Sequence, residues 1–300
     1  MVIIRKVTVG GNMRYKLIAC DMDETLLNDN HEICQRNIDV IKRARKEYGI
    51  KFVLATGRSY DLVQKQLQDL DLYDKEDEYV LSFNGGALTE NSGNRILQFK
   101  GLSFNKVKEL FEFGLSKDLC VHIYTKDALY IYNMFEDSRE RLKNIAHIEM
   151  NDNSIDFLED TPIGKLIYES LDMDFLMSLE KEMSNMIENQ CTISYSSNRY
   201  MELNTLGVDK GQGLIDLAKI LNIDIKDTIA IGDNYNDMSM LKVAGLSVAA
   251  NNAIEDVKEV CDYTTEADNN EGAVAELIEK FIFNKEVVED IDDDILYGTN

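Results

Sequence analysis

The run Tyr15-Lys16-Leu17-Ile18-Ala19-Cys20-Asp21-Met22-Asp23-Glu24-Thr25-Leu26-Leu27 places two aspartates at the mouth of a short apolar segment. Leu17 to Cys20 has the length and flanks of a buried parallel strand. Asp21 and Asp23 lie two residues apart. In extended backbone they share a face and can point into one crevice at the strand's carboxyl end, where ligands bind in open α/β sheets. Taken alone the pattern also suits turn formers after a strand, with Thr25 opening a helix, so the rest of the chain must supply partners.

Downstream, Asn30 to Tyr48 reads as an amphipathic helix with Ile33, Ile38, Ile41 and Ala44 on one face and Gly49 as its stop. The strand Ile50 to Ala55 follows and delivers Thr56-Gly57-Arg58. Ser59 to Leu70 is a second helix, and Tyr79 to Phe83 a third strand ending in Asn84-Gly85-Gly86. This β-α-β-α-β rhythm with short links predicts an α/β fold with a doubly wound, mainly parallel sheet.

The rhythm then changes. A helix over Ser103 to Lys117 precedes the strands Leu119 to Tyr124 and Ala128 to Tyr132. Helical Asp137 to Ile145, strand Lys165 to Glu169, helix Asp174 to Glu188 and strands Cys191 to Tyr195 and Tyr200 to Leu203 complete the segment. Hairpin spacing here predicts an antiparallel α+β module inserted into the first. From Val208 the α/β rhythm returns. Lys210-Gly211 opens a helix, and Thr228 to Ile231 is a strand running into Gly232-Asp233-Asn234-Tyr235-Asn236-Asp237. The expected organisation is an N-terminal extension over 1–14, a core over 15–86 and 204–283, an inserted module over 87–203, and an acidic tail over 284–300.

Composition bounds the partners. The 300 residues carry a formal net charge of −23 with no dense basic run, which disfavours nucleic acid and anionic membranes. Five scattered cysteines without C-x-x-C spacing, and no long apolar stretch, lead to the expectation of a soluble cytoplasmic protein.

Four polar signals thus sit at strand ends or at a helix start: Asp21 with Asp23, Thr56, Lys210, and Asp233 with Asp237. Each alone has an ordinary structural explanation, but four on one rim of one sheet make coincidence a poor account. Carboxylates converging at ~4 Å repel by about 4 kcal/mol per pair at an effective dielectric of ~20. An all-oxygen set without clustered His or Cys suits Mg2+. Lys210 adds positive charge and Thr56 a hydroxyl donor, an environment for a phosphoryl group.

Together these motifs resemble the haloacid dehalogenase superfamily, in particular its Cof-type sugar-phosphatase branch, with a C2B-type α/β cap between the second and third motifs. Asp21-Met22-Asp23-Glu24-Thr25-Leu26 matches the first motif, Thr56-Gly57-Arg58 the second, Lys210 the third, and Gly232-Asp233 with Asn236-Asp237 the fourth. The one departure is Glu24, where the family usually has Gly. The resemblance implies a Mg2+-dependent phosphatase acting on a small phosphorylated metabolite, a sugar phosphate. Asp21 is then the nucleophile and Asp23 the general acid and base. Thr56 and Lys210 hold phosphoryl oxygens, and Gly57, Asn84 and Asn236 lie against substrate. The metal set comprises Asp21, Asp23 through its main-chain carbonyl, and Asp233, with Asp237 in support. A phosphomutase of the same fold, or a non-catalytic Mg2+-binding regulator, shares these motifs, and a nucleotide-sugar transferase shares the D-x-D. Substrate choice falls to the cap, where Tyr124, His122 and Arg199 are polar candidates. Oligomeric state has no signature in the sequence.

Overall fold

A computed structural model describes residues 15–126, 128–143 and 145–283. The extension over 1–14 and the acidic tail over 284–300 lie outside the described residues. Two β-sheets organise the described residues. The first receives β1 (Leu17–Cys20), β2 (Lys51–Ala55), β3 (Tyr79–Ser82), β4 (Ala87–Glu90) and β5 (Arg95–Phe99). The chain then builds a second sheet from β6 (Cys120–Thr125), β7 (Leu129–Tyr132), β8 (Ile148–Met150), β9 (Ile163–Glu169), β10 (Cys191–Ser196) and β11 (Tyr200–Thr205). It returns to the first through β12 (Thr228–Gly232), β13 (Leu246–Ala249) and β14 (Tyr263–Thr264).

The first sheet runs β14-β13-β12-β1-β2-β3-β4-β5. Its pairs from β14 to β3 are parallel, and every residue of β1 is buried between β12 and β2. Such a strand must be apolar on both faces, which is why Leu17 to Cys20 carries no alternation. One apolar layer includes Ile18, Ile41, Phe52, Leu54, Ile231 and Val274, and the other Leu17, Val53, Leu81, Leu214, Ala230 and Met240. Because β1 and β12 are adjacent and in register, Asp21 and Asp233, which follow them, emerge side by side. Chain order reverses between these strands, so the crevice is a topological switch point.

The expected boundary at residue 87 is corrected by β4 and β5. These pair antiparallel onto β3 and extend the first sheet, so the chain crosses to the second only after Phe99. The cause is a hairpin that turns through Asn91 to Asn94, with Gly93 at φ +63°. The helices are shorter than their apolar patterns suggest: the first begins at Gln35, and Ser59 to Leu70 divides into a 3-10 turn (Tyr60–Val63) and a helix (Gln64–Asp69).

The second sheet runs β10-β11-β9-β6-β7-β8. The helices Phe104–Ser116 and Met173–Glu182 cover one face, closing a layer that includes Val107, Phe111, Val121, Leu166, Leu176 and Leu203. The opposite face carries Tyr124 and His122 of β6, Lys165 and Glu169 of β9, and Glu202 and Asn204 of β11, with Tyr124, Lys165 and Asn204 directly opposite one another in register. This polar face meets the first sheet at the rim holding Asp21. Among the described residues no helix is long and apolar enough to cross a membrane.

Candidate active site

The backbone N–H of Asp21 donates to Ile231 O at 3.0 Å, which docks the aspartate against the end of β12. Lys210 is the first residue of the helix Lys210–Ile220, whose start is capped by Asp209 accepting from Gln212 N at 2.8 Å. Its side chain is fully buried, and its Nζ donates to Asp21 Oδ1 and, at 2.6 Å, to Asp237 Oδ1. A buried cation at a helix start opposes the macrodipole and needs such partners. Gly85 makes the placement possible: a Cβ there would meet Asp209 O at 2.4 Å, so only glycine lets the Asn84 turn press against this helix start.

Asp233 is held by Thr25, whose Oγ1 donates to Asp233 Oδ1 at 2.6 Å. Thr25 thereby orients the second carboxylate. Asp237 Oδ2 accepts from the backbone N–H groups of Asp233 and Asn234 at 3.0 and 3.1 Å. With Oδ1 on Lys210, both oxygens of Asp237 are engaged within the protein. Asn236 is half-buried on the same turn.

Oxygens of Asp21, Asp233 and Asp237 lie within 4.8 Å of one another, all buried. Three carboxylates against the single ammonium of Lys210 leave two negative charges unmatched. The electrostatics register this shortage. Burial and then Asp237 push the Asp21 carboxyl well above the ordinary carboxylate range, against the pull of Lys210. Asp233 is pushed up to about 7 by burial and then by Asp237, with the Thr25 hydrogen bond and Lys210 opposing. For Lys210 burial works against the charge, but Asp21 and Asp237 outweigh it and hold the ammonium above the ordinary lysine value. An oxygen-only, buried donor set short by two positive charges fits Mg2+.

Asp23 stands apart from this cluster, half-exposed and gripped by Arg58 through Nη2 and, at 3.1 Å, through Nε. Its neighbour Glu24 adopts φ +60°, the left-handed region that favours glycine. The turn geometry that glycine usually supplies is therefore kept by a strained glutamate, whose carbonyl accepts from Asn252 Nδ2 at 2.7 Å. Thr56 is buried, its backbone N–H tied to Leu81 O at 2.9 Å and its Oγ1 accepting from Arg58 N at 3.1 Å. Gly57 follows, its backbone close against Asn84 and against Lys165 of the second sheet.

Two charged residues of the second sheet reach this rim. Lys165 Nζ donates to Glu202 Oε2 at 2.6 Å, and the same oxygen accepts from Asn84 Nδ2 of the first sheet at 3.1 Å. Burial opposes the Glu202 charge, but Lys165 and Ser196 hold its carboxyl below the usual range. Neither residue is among those the sequence singles out; the available signal is a charge at alternating positions of otherwise apolar strands. Of the expected cap residues, Tyr124 lies in the interface, edge-on to Phe83. Arg199 is paired with Asp137 at 2.6 Å and Glu169 at 3.3 Å. His122 is buried with Cys120 and Glu169, and burial lowers its pKa despite Glu169. Cys120, His122 and Glu169 could group around a metal, but Arg141 and Arg199 already neutralise Glu169.

A family model described as haloacid dehalogenase-like hydrolase matches residues 18–278, and the chain belongs to this family. Its fold and its relatives make it a phosphatase. It is 30% identical to the 5-amino-6-(5-phospho-D-ribitylamino)uracil phosphatase YwtE of Bacillus subtilis, over 89% of this chain and 98% of the relative. Identity to phosphatase YwpJ of the same organism is 27%, over 89% and 100%. Among solved structures, a haloacid dehalogenase-like hydrolase from Bacteroides thetaiotaomicron superposes with a TM-score of 0.77 at 32% identity, over 88% of this chain and 98% of that one.

Proposed function

We propose that the protein hydrolyses a small phosphorylated metabolite, a sugar phosphate, with Mg2+ and through a phosphoryl-enzyme intermediate on Asp21. The observation that carries this reading is the buried trio Asp21, Asp233 and Asp237 around one lysine, two positive charges short of neutrality. Asp21 and Asp233, with the main-chain carbonyl of Asp23, would hold the ion, and Asp237 would support them. Bound there, Mg2+ supplies charge neutralisation and Lewis-acid polarisation of a phosphoryl oxygen.

In the first step an Asp21 oxygen attacks phosphorus as the ester P–O bond breaks. Asp23, released from Arg58 and turned into the site, gives its proton to the departing oxygen. In the second step Asp23 takes a proton from water, whose oxygen attacks the aspartyl-phosphate; the acyl phosphate P–O bond breaks and Asp21 is restored as carboxylate. Lys210 and the Thr56 hydroxyl hold the phosphoryl oxygens through both steps. Gly57, Asn84 and Asn236 line the approach, and the second sheet closes over it to exclude bulk water. The name of the relative YwtE, with its ribityl phosphate, supports a polyhydroxylated leaving group.

The test is phosphate release from a panel of sugar phosphates, nucleotides and phosphorylated cofactors, with Mg2+ or EDTA, for wild type and Asp21→Asn. Release that requires Mg2+ and disappears in Asp21→Asn is expected. Metal-independent release, or turnover retained by Asp21→Asn, overturns the reading.

A further inference from the structure

Beside the phosphoryl end of the site, Asn84 Oδ1 and Lys165 Nζ press close to the Gly57 backbone, 3.2 and 3.3 Å from where a Cβ on Gly57 would sit. The Asn84 amide cannot be turned freely. Glu202 is a carboxylate and only accepts, so the amide must present Nδ2 to it, as it does at 3.1 Å. Oδ1 is left facing Gly57, buried and without a hydrogen-bond partner among the described residues. An orphaned buried acceptor is costly unless a ligand satisfies it. Lys165 has three donors and spends one on Glu202. A donor, Lys165 Nζ, and an unmatched acceptor, Asn84 Oδ1, therefore stand together at the Gly57 backbone.

A substrate hydroxyl can accept and donate at once. A second phosphate or a carboxylate fits poorly: Lys165 is already neutralised by Glu202, and a second anion would meet the lone pairs of Asn84 Oδ1 and the charge of Glu202. The same sheet face continues the pattern. Asn204 pairs in register with Lys165 and Ser194 with Glu202, and Asn204 Oδ1 and Ser194 Oγ are likewise buried without partners among the described residues. We propose that Lys165, Asn84 and Glu202 form a hydroxyl-reading subsite beside Gly57, which selects phosphomonoesters of uncharged polyols and rejects leaving groups carrying a second anion there. Glu202 acts through the other two and is a positioning residue. A side chain at Gly57 would crowd both Asn84 Oδ1 and Lys165 Nζ. This inference rests on the phosphatase reading above.

The test uses glycerol 3-phosphate, n-propyl phosphate, 2-phosphoglycolate and p-nitrophenyl phosphate with Mg2+. Wild-type kcat/KM for glycerol 3-phosphate should exceed that for n-propyl phosphate by about 10- to 100-fold, the effect of losing a hydrogen bond to a charged group. It should also exceed that for 2-phosphoglycolate. In Gly57→Ala, and separately in Lys165→Met/Glu202→Gln, the glycerol-to-propyl ratio should collapse toward one. A wild-type ratio near one, preference for 2-phosphoglycolate, or an unchanged ratio in folded variants overturns the subsite. A wild-type ratio near one overturns the subsite even if a variant does not fold. No metal-dependent release from any of the four compounds would instead refute the phosphatase reading, and the subsite would fall with it.

Discussion

Asp237→Asn separates the roles of the two aspartates that follow β12. Asp237 is fully buried and accepts hydrogen bonds from Lys210 at 2.6 Å and from two backbone N–H groups at 3.0 and 3.1 Å. An asparagine preserves the shape. If its carbonyl keeps the two backbone donors, its NH2 faces the Lys210 ammonium, donor against donor; if it turns, the two backbone groups are orphaned. Removing one partner of a buried pair costs about 3–5 kcal/mol. Relief of the repulsion that Asp237 exerts on Asp21 and Asp233 offsets part of this. The expected loss is therefore about 3 kcal/mol, or a melting temperature lower by roughly 6–12 °C for a large domain. Urea titration followed by circular dichroism measures it, the chain having no tryptophan. Mg2+ affinity, read by calorimetry, should fall by about 10- to 100-fold, as for groups that support a ligand. Asp233→Asn should show the opposite balance: metal binding lost, with stability little changed or raised in EDTA. Full loss of Mg2+ binding in Asp237→Asn at unchanged stability would refute this division.

Two further outcomes follow from the strained turn and the cap. Glu24→Gly removes a left-handed strain of about 1–2 kcal/mol against a glycine entropy cost of about 0.5–1 kcal/mol, so a net gain of roughly 0.5–1 kcal/mol should appear in urea titration; a loss would contradict the strain. Glu169 is held at about 2, because His122, Ser138 and Arg141 outweigh the burial that would raise it. Held that far below the ordinary glutamate value, it contributes about 3 kcal/mol. That contribution is fully present above the unfolded value near 4.5 and is lost as pH falls toward 2. Wild type should therefore exceed Glu169→Gln in stability at pH 7 and converge with it near pH 2–3; a gap independent of pH would refute the assignment.

The parts of the site legible in the sequence are those where a polar residue interrupts an apolar run. Asp21 after β1, Thr56 after β2 and Asp233 after β12 are fixed by strands buried on both faces, and parallel pairing brings their ends to one rim. Lys210 is legible because a cation suits a helix start poorly. The partnership of Lys165, Glu202 and Asn84 is not, since it joins residues 118 apart across two sheets and no local rule governs it. The hairpin of β4 and β5 escapes a sequence reading because Gly93 and Asn94 close it without a strongly alternating pattern. Glu24 is visible as a departure from glycine, whereas its positive φ requires the folded turn.

The covalent role of Asp21 is tested most directly in Asp23→Asn, which should lack the base needed to discharge the enzyme. After incubation with p-nitrophenyl phosphate, whose leaving group departs without a proton and so bypasses the acid step, together with Mg2+ and an acid quench, mass spectrometry should find a phosphoryl group on the peptide carrying Asp21, and the label should vanish in the Asp21→Asn/Asp23→Asn double variant. Continued turnover of wild type, with no phosphoryl-enzyme detectable in Asp23→Asn or with the label on another residue, would contradict the account.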